Sequence, residues 1–165
     1  MSQSSTSAAL LSGLNVIYLS LASVMTFFGL VVFYLNYSGS NTIAPDDEFA
    51  QILQYVLFGL VPIGIAAGYF VFKQQLSAIE PALTLRQKLM RYQIAILIRS
   101  AFLEVPGLFA TVAAMITGVN MFLLFTVVIV VIFILLRPTP SAIINDLGLS
   151  QADKSILENP AAKID

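Results

Sequence analysis

Four apolar stretches alternate with short polar breaks along this chain, and the breaks set the length of each predicted element. Residues 14–35 carry no charge. At about 1.5 Å per helical residue they are long enough to cross a hydrocarbon layer roughly 30 Å thick. Residues 49–72 repeat the pattern after a polar loop, 36–48, that holds Gly39, Pro45 and the acidic run Asp46-Asp47-Glu48. A third stretch covers 84–118. A short break, Thr117-Gly118-Val119-Asn120, separates it from a fourth at 121–136, made almost wholly of Val, Ile, Leu and Phe with Thr126 its one polar member. Each is expected to be a membrane-spanning helix.

The ends of these helices are written in local chemistry. Acids at 46–48 complement the dipole at the start of the second helix. That helix is expected to run past Lys73 towards Glu80, where Pro81 stops it. Thr84 reads as an N-cap, with Gln87 three residues on completing a capping box. Segments two and three therefore form an antiparallel hairpin. Pro138 and Pro140 end the fourth helix, and two short helices follow within 141–165. The first closes at Gly148; Ser150 with Asp153 caps the second before Ile156 and Leu157. Ile143, Ile144 and Leu147 are free to lie on the membrane, under another protein, or in a frayed tail. The domain division is then a transmembrane domain at 1–137 and a cytoplasmic tail at 138–165.

Composition agrees with the pattern. Of 165 residues 58% are hydrophobic and 10% charged, and the mean hydropathy is +0.90. A soluble domain of this size carries far more surface charge. The expected fold is all-α, four transmembrane helices. A net charge of −1 offers no electrostatic case for nucleic acid. The absence of Cys, His and Trp removes disulfides, thiol chemistry and imidazole-held haem or zinc. No nucleophile sits with a base, so neither enzyme activity nor a cofactor is expected. Residues 1–13 contain no Lys or Arg, so the first apolar stretch reads as retained rather than cleaved. Arg86, Lys88 and Arg91 crowd the start of the third helix, and Arg137, Lys154 and Lys163 follow the fourth. By the positive-inside rule that side, with both termini, is cytoplasmic, and the Asp46 loop lies outside. The expected location is the bacterial inner membrane.

Candidate chemistry gathers on the third stretch. Ser100, Glu104, Gly107, Thr111, Ala114 and Gly118 recur at alternating spacings of four and three, one helix face that is small or polar throughout. Small residues let helix backbones approach closely in lipid, so this face is expected to pack, as is the Gly64/Gly68 pair of the second helix. Ser20, Ser23 and Thr26 of the first helix also read as packing contacts. Glu104 is the one acid deep in an apolar run. Counted from Ile94 it lies about 15 Å along its helix, near the centre of the layer. An ionised carboxylate there costs at least ~2.5 kcal/mol on insertion scales. Arg99 lies about 140° round the helix from it and is expected to snorkel to the interface. Glu104 is expected to bond as a neutral acid to Thr26, Ser23 or the carbonyl that Pro62 frees on Phe58, while Pro106 frees that of Phe102. Two readings stand: hydrogen-bond glue between helices, worth about 0.6 to 2 kcal/mol, and a proton or cation site.

The run Ala95-Ile-Leu-Ile-Arg-Ser-Ala-Phe-Leu-Glu104-Val-Pro-Gly-Leu-Phe-Ala-Thr-Val112 resembles the carboxylate helix of the c-type proteolipid of rotary ATP synthases, with its form A-x-L-I-x-x-A-x-x-E-x-x-x-L-F-A. Gly59, Gly64 and Gly68 are similar to the glycine-bearing first helix of that family, and the likeness spans about residues 55–118. It implies a hairpin with a cytoplasmic turn and Glu104 as the ion-carrying carboxylate. The chain departs from the family at Glu80-Pro81, where a basic Arg-Gln-Pro is usual, and at Arg99 and Pro106, where small or apolar residues are usual. The residues alone favour a small non-enzymatic membrane protein that packs, with itself or with a larger complex, through its small-residue face. The alternative is a proton- or cation-binding subunit that uses Glu104.

Overall fold

The apolar runs are helical, and the first two helices extend beyond the bounds that hydropathy alone marks. The computed structural model describes residues 5–41, 46–159 and 162–164. Within them α1 spans Ser7–Tyr37, α2 Asp47–Ser77 and α3 Leu85–Thr117. A 3-10 turn, Asn120–Phe122, leads into α4, Leu123–Leu135; α5, Pro140–Leu147, and α6, Gln151–Glu158, follow. Pro45 of the expected loop lies outside the described residues, as do residues 1–4 and Asp165.

Local chemistry sets most of the ends. The Asp46 carboxylate accepts from the Glu48 and Phe49 amides at 3.1 Å. At α3 the Gln87 amide donates to Thr84 Oγ1 at 3.4 Å and the Thr84 amide to Gln87 Oε1 at 3.1 Å, the reciprocal capping box. Gly118 closes α3 at φ 70° and Gly148 closes α5 at φ 55°, left-handed conformations that a side chain would strain. Gly118, expected on the packing face, is the C-cap of α3. The Ser150 hydroxyl accepts from the Asp153 amide at 3.2 Å. Two ends differ from expectation. α1 starts at Ser7 rather than near 14, and Leu11 and Leu14 reach Leu89 and Met90 of α3. α2 stops at Ser77, short of Glu80.

The third helix is central and packs against α1, α2 and α4. α2 turns Leu57, Val61, Gly64, Gly68 and Phe72 towards it, a stripe at helical spacing. A Cβ at Gly64 would stand 2.9 Å from the Phe102 carbonyl oxygen and 3.1 Å from Pro106 Cγ. At Gly68 it would stand 3.1 Å from Phe102 Cβ. Gly107 plays the same part towards the other two helices, lying against Met25 Sδ of α1 and Ile129 of α4. α1 buries Leu14, Tyr18, Ala22, Met25 and Val32. The opposite faces stay apolar and uncovered: Phe27, Leu30, Phe58, Phe70, Val127 and Leu135 are all exposed. An apolar exterior of this extent is what lipid, not water, would cover.

Three helices, α1 to α3, are long and apolar enough to cross a membrane. A fourth span is reached if Asn120–Leu135 and Pro140–Leu147 count as one broken element, bent by 76°. The C-terminal helices are neither frayed nor separate. α5 packs on α3 and α6 on α1, burying Ile143, Leu149 and Leu157. Tyr92 Oη donates to Asp146 Oδ2 at 3.0 Å, and the pairs Lys73–Asp146 (3.9 Å) and Lys88–Asp153 (3.7 Å) tie the tail to α2 and α3. A two-residue antiparallel ladder joins Ser5–Thr6 to Lys163–Ile164.

The glycine contacts make a direct test. Gly64→Ala forces backbone against backbone and is expected to destabilise by about 1–3 kcal/mol. Gly59→Ala, with nothing within 4 Å of the added carbon, is expected to be neutral or mildly stabilising. Thermal unfolding in mild detergent compares the two.

Candidate functional site

The small-residue face of α3 is filled by this chain's own helices. Ser100, Thr111 and Ala114 are fully buried and Gly107 is covered, so this face is spent within the molecule and is not open to a partner. Glu104 sits at its edge, half-buried. Among the described residues no hydrogen bond or ion pair reaches it. The expected donors are occupied elsewhere: Thr26 is exposed and donates to the Ala22 carbonyl at 2.8 Å, and Ser23 donates to that of Leu19 at 2.8 Å. Both hydroxyls are bound to their own helix.

The two prolines do not converge on Glu104 either. Pro62 is exposed on α2, whereas Pro106 is buried against Gly64. Phe102 and Pro106 each stand two positions from Glu104, about 160° round the helix. The α2 contact therefore lies on the far side of α3 from the carboxyl. The Phe102 carbonyl freed by Pro106 is covered by Gly64.

Arg99 does not snorkel. It is 8% exposed; its Nη2 donates to the Leu136 carbonyl at 2.8 Å, and its guanidinium lies 4.2 Å from the Phe72 ring centre. The last carbonyls of a helix lack intrahelical partners and carry partial negative charge. A cation from α3 thus closes the end of α4, with the aromatic face adding a cation–π contact. Tyr18 packs on Phe133 at 5.0 Å and Phe72 on Tyr92 at 5.9 Å around the same level. Tyr18 Oη, Arg99 Nε and Ser100 Oγ are buried there without a hydrogen-bond partner. Orphaned buried polar atoms are rare enough to mark a place where something else binds or where strain is held.

Higher in the molecule a second polar knot joins α3 to α4. Thr126 Oγ1 lies 2.9 Å from Thr111 Oγ1, and both hydroxyls reach the Gly107 carbonyl, at 3.1 and 3.0 Å. At the other end Asn36 Nδ2 donates to the Ala114 carbonyl (3.0 Å) and to Asn120 Oδ1 (2.9 Å). Asn41 Nδ2 reaches Asn36 Oδ1 at 2.7 Å and the Met115 carbonyl at 2.8 Å. Sequence reasoning placed Gly107 and Thr111 on a packing face and marked Thr126 as the one polar residue of its helix without pairing them, and it missed the asparagine group. Among the described residues no group of three or more His, Cys, Asp or Glu is placed to hold a metal.

No family model, curated protein or solved structure matches this chain. The site is therefore read from its geometry alone. That geometry offers one unpartnered carboxyl at the edge of α3, a buried guanidinium at the end of α4, and hydroxyl contacts that hold helices together.

If the threonine knot holds α3 to α4, Thr126→Val, close in shape but without the hydroxyl, is expected to cost about 0.6 to 2 kcal/mol. Ser23→Ala, at an exposed position, is expected to leave stability unchanged. Unfolding of the purified protein in detergent reads both.

Proposed function

We infer that the protein is a four-span, non-enzymatic membrane protein acting as an accessory subunit, and that the flank of α3 carrying Glu104 is where it meets a neighbouring helix. One observation carries this: the small-residue face is largely buried, while the carboxyl at its edge has no partner among the described residues. An unpaired polar group facing hydrocarbon is costly, and a hydrogen-bonding group on an adjacent helix removes that cost. The neighbour is a second copy of the chain or a larger membrane complex. Depth supports the reading. Arg99 and the end of α4 mark the basic edge of the apolar layer, and Glu104 lies about 7.5 Å further in along the helix. In a layer roughly 30 Å thick that is about halfway from the basic edge to the middle.

Orientation follows from charge. Lys73, Arg86, Lys88, Arg91, Arg137 and Lys154 belong to the end built from the α2–α3 turn, the exit of α4, and α5 and α6, whereas Asp46, Asp47 and Glu48 belong to the other. The positive-inside rule then turns the first end, with both termini, to the cytoplasm of a bacterial inner membrane.

A second reading, proton or cation binding at Glu104, is favoured by the same missing partner and by the resemblance of residues 95–112 to the proteolipid carboxylate helix. Glu104→Gln keeps a hydrogen-bonding side chain and removes ionisation; Glu104→Leu removes both. For the accessory subunit, native mass spectrometry in mild detergent is expected to show assembly retained in the Gln variant and weakened about tenfold in the Leu variant. Equal assembly in all three proteins overturns that reading. Loss of proton or cation flux across vesicles in the Gln variant establishes the second reading, and unchanged flux removes it.

A further inference from the structure

Between α2 and α4 an open apolar groove of about 440 Å³ runs past Ile65, Ala66, Leu103 and Ile132. Towards the basic end it continues, through the shared residues Tyr69, Arg99, Leu135 and Leu136, into a cleft of about 260 Å³. That cleft is lined by Lys73 and Arg137 together with Arg99, and Asp146 is its one carboxylate. Three cations face one anion. Asp146 is engaged by Tyr92 at 3.0 Å and loosely by Lys73 at 3.9 Å. Arg99, more than nine-tenths buried, lines both chambers with its Nε lacking any hydrogen-bond partner. Its Nη2 is held by the Leu136 carbonyl, so the guanidinium is fixed in place.

We propose that this groove binds one anionic glycerophospholipid, its phosphate held by Lys73, Arg137 and Arg99 and one acyl chain lying along Ile65, Ala66 and Ile132. The parts match the ligand in order. A basic pocket between helices at the cytoplasmic edge suits a phosphate, the apolar channel above it suits a chain, and both are open to the side where lipid arrives. Guanidinium groups bind phosphate oxygens through paired donors, and the exposed Lys73 and Arg137 stand at the cleft while buried Arg99 adds its charge from behind. The site lies on the α2–α4 side of α3, whereas Glu104 stands on the flank away from α2, so it is independent of any role of that carboxyl.

The test uses the whole protein in mild detergent with phosphatidylglycerol, phosphatidylcholine of the same chains, or inorganic phosphate, read by native mass spectrometry. Wild type is expected to retain one phosphatidylglycerol about tenfold better than phosphatidylcholine. Replacing both exposed cations, Lys73→Gln with Arg137→Gln, is expected to abolish that preference. Ala66→Trp, which fills the apolar channel and leaves the cations intact, is expected to release the lipid. Equal retention of the two lipids, or a preference that survives the double substitution, overturns the proposal. So does competition by inorganic phosphate at concentrations near those of the lipid, which would make the ligand a free anion.

Discussion

Close approach at three glycines, to a neighbouring backbone at Gly64 and Gly68 and to side chains at Gly107, is the constraint on which this structure depends. In lipid the helices gain nothing by hiding apolar surface from one another, because the surroundings are equally apolar. Contact must therefore be close enough for dispersion to act over many atoms. Gly64 and Gly68 bring α2 against α3 at Phe102 and Pro106, and Gly107 brings α1 and α4 against the other side. The outward faces carry no such demand, and Phe, Leu and Val occupy them freely.

Once the helices are this near, polar groups become the fasteners. Thr111 and Thr126 share the Gly107 carbonyl, so the residue that permits close approach also provides the acceptor. The three asparagines tie the end of α1 to the turn after α3. At the basic end Arg99 holds the last turn of α4, and the C-terminal helices close over it through Asp146. Tail and spans thus form one folded unit rather than a membrane domain with an appendage.

What the sequence made legible was local. The Thr84–Gln87 capping box, the glycine that ends α5 at 148 and the Ser150 cap depend on residues a few positions apart, and each formed as its spacing required. The Gly64/Gly68 pair was also readable, because close approach restricts residue size whatever the partner. Long-range pairing was not. Nothing in the 99 region announces that its cation reaches a carbonyl at 136, and a long flexible side chain reads equally well as one reaching for water. Glu104 showed the same limit. Position along a helix fixes depth, but whether Thr26 or the Phe58 carbonyl shares its side depends on how each helix is rotated, and glycine contacts elsewhere set that rotation.

The sharp bend after α4 has a consequence for the surrounding bilayer. From Asn120 to Leu135 the segment rises only about 24 Å before the chain turns through 76°, short of a hydrocarbon thickness of roughly 30 Å. If this segment is a fourth span, the membrane beside it thins or Arg137 stretches outward, each at a fraction of a kcal/mol per Å. α1 and α2, with 31 residues each, impose no such pinch on their own sides. A fourth span of this length would press on the bilayer from one flank only, and that asymmetry would favour thinner bilayers without any address in the sequence.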